Sequence, residues 1–300
     1  MFKKRKTTIS FEGNEIRTVT IRGKNIIGWQ TRSLPPDQMN RGLIHDPQAV
    51  SAEIRAALKE LKGSRKNVIS SVSGSRSVHR IMKIPIIPEK LLKETIERKA
   101  RQEFAIPIED MDLSWKIITK RDNHMILYAL AVPKVMIDNQ VQALKGAGIR
   151  TRVLDIKPLA LSRITDRETS LIVNLEDHSM SVIILVNNVP MLIRNIPLDS
   201  GDLTGEAKTD LLGQELARTT KYYNESHKQS RLPDDTPVYV TGSLFSSGNV
   251  DSRLEKSPAL VERLSIRTPY PMKPPVTKFN LPKNFPLLGY ATNLGLAVKN

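Results

Sequence analysis

Five histidines, His45, His79, His124, His178 and His227, are the side chains best suited to proton transfer or metal binding, and their spacing supports neither. No HxxxH or HExxH pair exists to set two imidazoles on one helix face around zinc. The chain has no cysteine, which excludes disulfides and thiolate metal sites and agrees with a reducing compartment. A phosphate-cradling GxxxxGK[ST] loop is missing, since GSRK at Gly63 has neither the spacing nor the context. SVSGSRS, Ser71 to Ser77, suits a strand-turn-strand corner and is no GxSxG elbow. Asp177 and His178 are adjacent, as a polar turn between strands would have them. The expectation is no catalytic set, no metal site and no enzyme. What does recur is a short pattern: Ile9-Ser10-Phe11-Glu12 and Val173-Asn174-Leu175-Glu176 are each apolar, small polar, apolar, acidic, with Ser10 and Asn174 standing 164 residues apart.

The elements around these two stretches are similar as well. Thr7 to Phe11, Ile16 to Ile21 and Ile26 to Ser33 alternate as strands joined by EGN and GKN turns, and Leu171 to Leu175, Met180 to Val186 and Val189 to Ile196 do the same. After the first meander, Val50, Ile54, Leu58 and Leu61 share one face of a helix from Asp46 to Leu61 that Gly63 stops. A strand pair, Asn67 to Ser73 and Ser77 to Ile84, precedes a helix from Pro88 to Phe104. Strands near Leu113 to Ile118 and Met125 to Val132 follow, then a helix Lys134 to Lys145, a strand Arg152 to Ile156 and a short helix Pro158 to Ile164. The second meander leads into a long helix, Leu203 to Tyr223, and a strand Pro237 to Thr241 ending at Gly242. Six prolines between Ser265 and Pro286 predict an extended surface segment.

Length and composition fit a soluble protein of two lobes, with 39% hydrophobic and 26% charged residues. Its longest apolar run, Ile126 to Val132, is far below the roughly 20 residues that span a bilayer. MFKKRKTTISFEG has no apolar stretch behind its basic residues and is not expected to act as a secretory signal. Of the net charge of +15, residues 1–100 hold +12, with 21 Lys/Arg against 9 Asp/Glu. Such a field can attract anionic lipid, nucleic acid or an acidic partner. Only Phe2, Phe11 and Trp29 are available in that third as stacking platforms, which argues against nucleic acid.

Two lobes that each open with a meander point to the duplicated fold of actin and sugar kinases, with two unrelated hairpins as the alternative. The residues then carry a more specific resemblance. Arg80 to Trp115 (RIMKIPIIPEKLLKETIERKARQEFAIPIEDMDLSW), Ala129 to Arg163 (ALAVPKVMIDNQVQALKGAGIRTRVLDIKPLALSR) and the closing PLLGYATNLGLAVKN resemble, in this order, the PilM family of type IV pilus assembly proteins, and more distantly the cell-division protein FtsA.

That resemblance implies an α/β, duplicated actin-like (RNase H-like) ATPase fold: a first lobe over 1–165 with an inserted subdomain over about 67–155, and a shortened second lobe over 166–300 with a Pro-rich segment 265–286 and a C-terminal helix. Nucleotide-binding relatives carry Asp-x-Gly at the end of each lobe's first strand, where the carboxylate approaches magnesium and the bare glycine approaches phosphate. Here Ser10 and Glu12, and Asn174 and Glu176, replace both pairs, and the adenosine-side turn keeps only Gly242 of the usual glycine run. The expectation is that ATP and magnesium are not bound. The resemblance further implies a partner, a PilN-like inner-membrane protein whose short N-terminal cytoplasmic peptide enters a groove between the first subdomain and the inserted one, with Ile84, Phe104, Ile106 and Pro107 as apolar candidates. The protein would then be cytoplasmic and peripheral at the inner membrane through that partner. Lys3, Lys4, Arg5 and Lys6 are candidates to face the anionic leaflet, and self-association is a further expectation. The alternative is an actin-like ATPase or filament former of cell division or shape control.

Overall fold

Residues 4–104, 106–151, 153–198, 203–246 and 258–299 are described in this computed structural model of the chain. In chain order the elements are β1 (Arg5–Glu12), β2 (Glu15–Arg22), β3 (Asn25–Ser33), β4 (Met39–Asn40), β5 (Leu43–Ile44), α1 (Pro47–Glu60), β6 (Val68–Val72), β7 (Val78–Pro85), α2 (Glu89–Glu103), β8 (Met111–Arg121), β9 (His124–Pro133), α3 (Lys134–Gly146), β10 (Val153–Ile156) and α4 (Lys157–Leu161). They continue with β11 (Ser170–Leu175), β12 (Ser179–Val186), β13 (Val189–Pro197), α5 (Gly205–Ser226), β14 (Val238–Thr241), α6 (Pro258–Ser265), β15 (Met272–Lys273) and α7 (Ala291–Val298). The chain divides into a larger unit, Met1–Ser75 with Gln142–Asn300, and an inserted unit, Arg76–Val141.

The larger unit contains two five-stranded sheets of one design. Their strand orders are β10-β6-β1-β2-β3 and β13-β12-β11-β14-β15, so each joins an antiparallel meander to two strands parallel to its first member. The registers superimpose the repeated sequence: Ser10 faces Arg17 and Ser71, and Asn174 faces Ser181 and Thr241. Local chemistry explains the turns. Gly13 and Gly23 hold φ of +57° and +64°, while Asn187 and Asn188 take +52° and +61° in the second meander, since asparagine tolerates the left-handed region. α1 starts where the Asp46 carboxylate accepts from the amides of Gln48 and Ala49 at 2.9 and 3.0 Å, with Pro47 in the first turn. Its buried Val50, Ile54 and Leu58 pack with Ile9, Phe11 and Ile16 of the first sheet. Leu212, Leu216 and Tyr223 of α5 pack on Leu171, Val173 and Leu175 of the second.

Between the sheets runs a third core, in which Val19, Ile21 and Leu161 meet Ile172, Ile183, Tyr239, Phe285, Tyr290 and Leu294. The proline-rich segment is extended, as expected. It leaves the second sheet at β15 and crosses to the first, where Val276 N–H donates to Ile164 O at 2.7 Å and Asn280 N–H to Lys24 O at 2.7 Å. α7 therefore packs chiefly against α4, β1 and β2 of the first lobe, with Leu294 reaching the core shared with the second. Gly295 makes that approach possible, because a Cβ there would stand 2.0 Å from Ala160 O.

In the inserted unit a three-stranded antiparallel sheet, ordered β7-β9-β8, is covered by α2. Met82, Ile84, Leu127, Ala129 and Ala131 of the sheet meet Ile96, Ala100 and Phe104 in its core. The boundaries of 67–155 expected for this insertion move inward. Val153–Ile156 pairs with Val68–Val72, which pairs with β1, so both belong to the larger unit's sheet, and the expected pairing of the 67–73 and 77–84 strands does not form. α6, which ends where the proline-rich segment begins, is an eight-residue helix packed against α5. Among the described residues no helix is long and apolar enough to cross a membrane.

Candidate functional site

The two recurring turns, β1–β2 and β11–β12, come together in the larger unit around a cluster of buried charges. Glu12, at the end of β1, is 9% exposed, and Glu176, just past β11, is 2% exposed. Two carboxylates removed from water in this way need cationic partners and full hydrogen bonding. Both have them. Glu12 pairs with Lys157, the first residue of α4, and accepts from Ser179 Oγ at 2.7 Å. Glu176 accepts from Arg17 Nη1 and Nη2 at 3.2 and 2.8 Å, and from the amide and hydroxyl of Ser243 at 3.1 and 2.6 Å. Arg17 also donates to Gly289 O at 2.7 Å and to Glu15 at 2.8 Å, which saturates its fork.

The small polar positions extend the network. Ser10 Oγ donates to Asn293 Oδ1 at 2.9 Å, and Asn293 Nδ2 donates to Arg17 O at 2.9 Å and Thr8 O at 3.2 Å. Asn174 Nδ2 donates to Thr241 Oγ1 at 3.0 Å and to Glu176 at 3.3 Å. Gly242 is obligatory here: its φ is +115°, and a Cβ would lie 2.0 Å from Leu175 O. At the rim, a Cβ on Gly13 would stand 2.7 Å from the His178 ring, and Lys208 Nζ donates to Asp177 O at 3.0 Å. The space left between Glu12, Glu15, Arg17, Glu176 and His178 is a cavity of about 20 Å³, room for about one water.

The electrostatics follow from the pairing. Burial by itself would raise the Glu176 carboxyl, but the charges of Arg17 and Lys157 and the hydrogen bonds from Arg17 and Ser243 outweigh it and hold the pKa at about 2. Burial likewise opposes the charged form of Arg17, and Glu176, with Glu15 and Glu12 behind it, drives its pKa up. Arg17 and Glu176 therefore stay ionised across the physiological range, within a single buried cluster. It ties Arg17 of the first lobe to Glu176 of the second, and Glu12 of the first to Ser179 of the second.

Ser10, Glu12, Asn174, Glu176 and Gly242, singled out by the repeat and the resemblance, are thus brought together. Arg17, Lys157, Ser179, Ser243 and Asn293 were missed. A buried acid implies a base, and Thr292 and Asn293 interrupt a mainly apolar helix, but neither signal names the partner. The other candidates do not join this site. Ile84 and Phe104, at 1% and 3% exposure, are part of the inserted unit's own core and offer no wall to a ligand; Ile106 is half-buried and Pro107 exposed. Lys3 lies outside the described residues, and Lys4 is exposed. Arg5 and Lys6 are not parts of a free basic tail. Arg5 Nη1 donates to Lys62 O at 2.7 Å past the end of α1, and Lys6 Nζ to the carbonyls of Ala297 and Lys299 at 3.0 and 3.1 Å at the end of α7, where cations meet the helix dipole.

Comparison with known proteins agrees with this architecture. The solved PilM-PilN type IV pilus biogenesis complex contains a chain 20% identical to this one, aligned over 98% of this chain and 97% of that one with a TM-score of 0.77. The ethanolamine utilization protein EutJ from Carboxydothermus hydrogenoformans is 12% identical over 99% and 90% of the two chains, with a TM-score of 0.55. At these identities the likeness is one of fold, the duplicated actin-like one. No curated protein sequence matches. A family model described as type IV pilus assembly protein PilM matches residues 23–196, more than half of the chain. The two equivalent meanders, their apposed polar turns and this match together place the chain in the type IV pilus assembly protein PilM family.

Proposed function

We infer that the chain is a cytoplasmic scaffold of a type IV pilus or related assembly system, which holds the short N-terminal tail of a PilN-like inner-membrane protein and works without hydrolysing ATP. The observation that carries the second half is the occupation of the interlobe turns by the protein's own ion pairs. A magnesium–triphosphate group does not fit them. Glu12 and Glu176 are already held by Lys157 and Arg17, a third acid, Glu15, sits at the rim, and the remaining cavity holds about one water. A polyphosphate would meet buried carboxylates where it needs donors.

Support for the partner comes from family membership and from the similar chain solved with PilN. The inserted unit's sheet has β7 on one edge, with a single strand neighbour among the described residues, and an extended peptide can add to such an edge by main-chain pairing. Titration calorimetry with magnesium and ATP is expected to give no binding heat up to millimolar nucleotide. Micromolar affinity, or nucleotide-dependent filaments, would replace this reading with that of a working actin-like ATPase. A PilN-like tail fused to a membrane anchor is expected to recruit the whole protein, and failure of recruitment would count against the scaffold.

A further inference from the structure

We propose that the end of the first-lobe sheet where β1 begins is a binding surface for anionic phospholipid headgroups. β1 and β6 run parallel while β2 and β3 close the meander, so the start of β1, the β2–β3 turn and the α1–β6 loop share one end of the sheet. Three hydrogen bonds fix the loop there: Arg5 Nη1 to Lys62 O at 2.7 Å, Ser64 N to Thr7 Oγ1 at 2.8 Å and Asn67 Nδ2 to Arg5 O at 3.2 Å. Arg22, Lys24, Lys59, Lys62, Arg65 and Lys66 project from these segments, all exposed and none in an ion pair with a described residue, with Lys4 beside them. The single acid within residues 4–5, 22–24 and 59–66 is Glu60, and it is already bound to Arg32 and Gln30.

Lys62 gives an independent pointer. Its φ is +48°, and the Gly63 amide reaches back to Leu58 O at 2.9 Å, so a lysine occupies the left-handed position that closes α1. Glycine adopts that conformation without strain and is the usual residue there. A cation kept where glycine is the more stable choice suggests that the charge is used. A lipid surface is favoured over nucleic acid because the segments are loops at a sheet end with no aromatic among them for stacking, while Ile27, beside the β2–β3 turn, is 41% exposed. The inference rests on these residues and not on the partner proposed above, so vesicle binding and tail binding can fail separately.

The test is sedimentation of the full chain, without partner, with vesicles of phosphatidylglycerol and phosphatidylcholine in equal parts. Retention is expected on these vesicles, not on pure phosphatidylcholine, and should vanish toward 1 M salt, where the Debye length contracts to about 3 Å. Each cation removed should cost about fivefold, and the triple variant Lys59→Gln, Lys62→Gln, Lys66→Gln about a hundredfold, with the melting temperature measured alongside. Lys62→Gly should raise the melting temperature while lowering retention about fivefold, a combination that a structural role does not produce. Reversing Lys116, Lys120 and Arg121 on β8 should leave retention unchanged. The proposal is overturned if the triple variant sediments as the native chain does, if neutral vesicles hold the protein equally, or if duplex DNA binds through the same lysines more tightly than the vesicles do.

Discussion

Arg17 and Glu176 lie 2.8 Å apart with their side chains 7% and 3% exposed, so neither tolerates loss of the other. Arg17→Ala strands a buried carboxylate, and a loss of about 3 to 5 kcal/mol is expected in urea unfolding. The double variant Arg17→Met, Glu176→Leu removes both charges and should be less damaging than either single change, because no charge is left alone in the interior. The same pair predicts a pH dependence. Glu176 has a folded-state pKa of about 2 against an ordinary value of 4.5, so its contribution is complete above about pH 4.5 and is lost as the pH falls through 2. The difference is on the order of 3 kcal/mol. Stability measured from pH 5 to 2 should fall more steeply in the native chain than in Glu176→Gln, which lacks this ionisation; equal slopes would refute the assignment.

Helices and strands carry their own tests. In α7, replacing a glycine by alanine would ordinarily stabilise a helix by up to about 1 kcal/mol. At Gly295 the sign should reverse, since the new Cβ would be driven to 2.0 Å from Ala160 O, and a loss of about 1 to 3 kcal/mol is expected from overpacking. Thermal unfolding of Gly295→Ala decides between the two signs. In the inserted unit, Phe104 closes the core formed by α2 and the sheet. Phe104→Ala should destabilise by about 3 to 5 kcal/mol through the cavity it opens. Pro107→Ala, at an exposed position, should leave the melting temperature unchanged, and any effect of it on tail binding is then a surface effect.

Across the larger unit, the decisive feature is the core shared between its two sheets. Trp29 of β3 packs edge-on against Phe285 at 5.2 Å, and Phe285 lies beside Tyr290 at 5.4 Å, so the returning segment joins aromatic groups from distant parts of the chain. Leu294, 1% exposed, contributes to the same core as Ile172 and Ile183 of the second lobe. Leu294→Ala should cost about 2 to 5 kcal/mol, and the loss should appear in both lobes. In a Trp115→Phe background, Trp29 emission and far-ultraviolet dichroism are expected to report one coincident, shifted transition; an early separate transition at Trp29 would show that the lobes unfold independently.

Much of this was legible in the sequence wherever the cause is local. Both meanders, the turns at Gly13 and Gly23, the start of α1 at Asp46 and the amphipathic faces of α1 and α2 depend on residues a few positions apart, whose alternation and capping chemistry are independent of the rest of the chain. The repeat of Ser10–Glu12 in Asn174–Glu176 was visible for the same reason. Tertiary structure alone decided what those residues do. Glu12 finds Lys157 at a separation of 145 residues and Glu176 finds Arg17 at 159, contacts that exist only because β11 and β1 are central strands of facing, equivalent sheets. It also decided that Val68–Val72 and Val153–Ile156 flank the insertion without belonging to it, and that the last helix returns to the first lobe, since strand order and long-range burial are set by whole-molecule packing that no local pattern encodes.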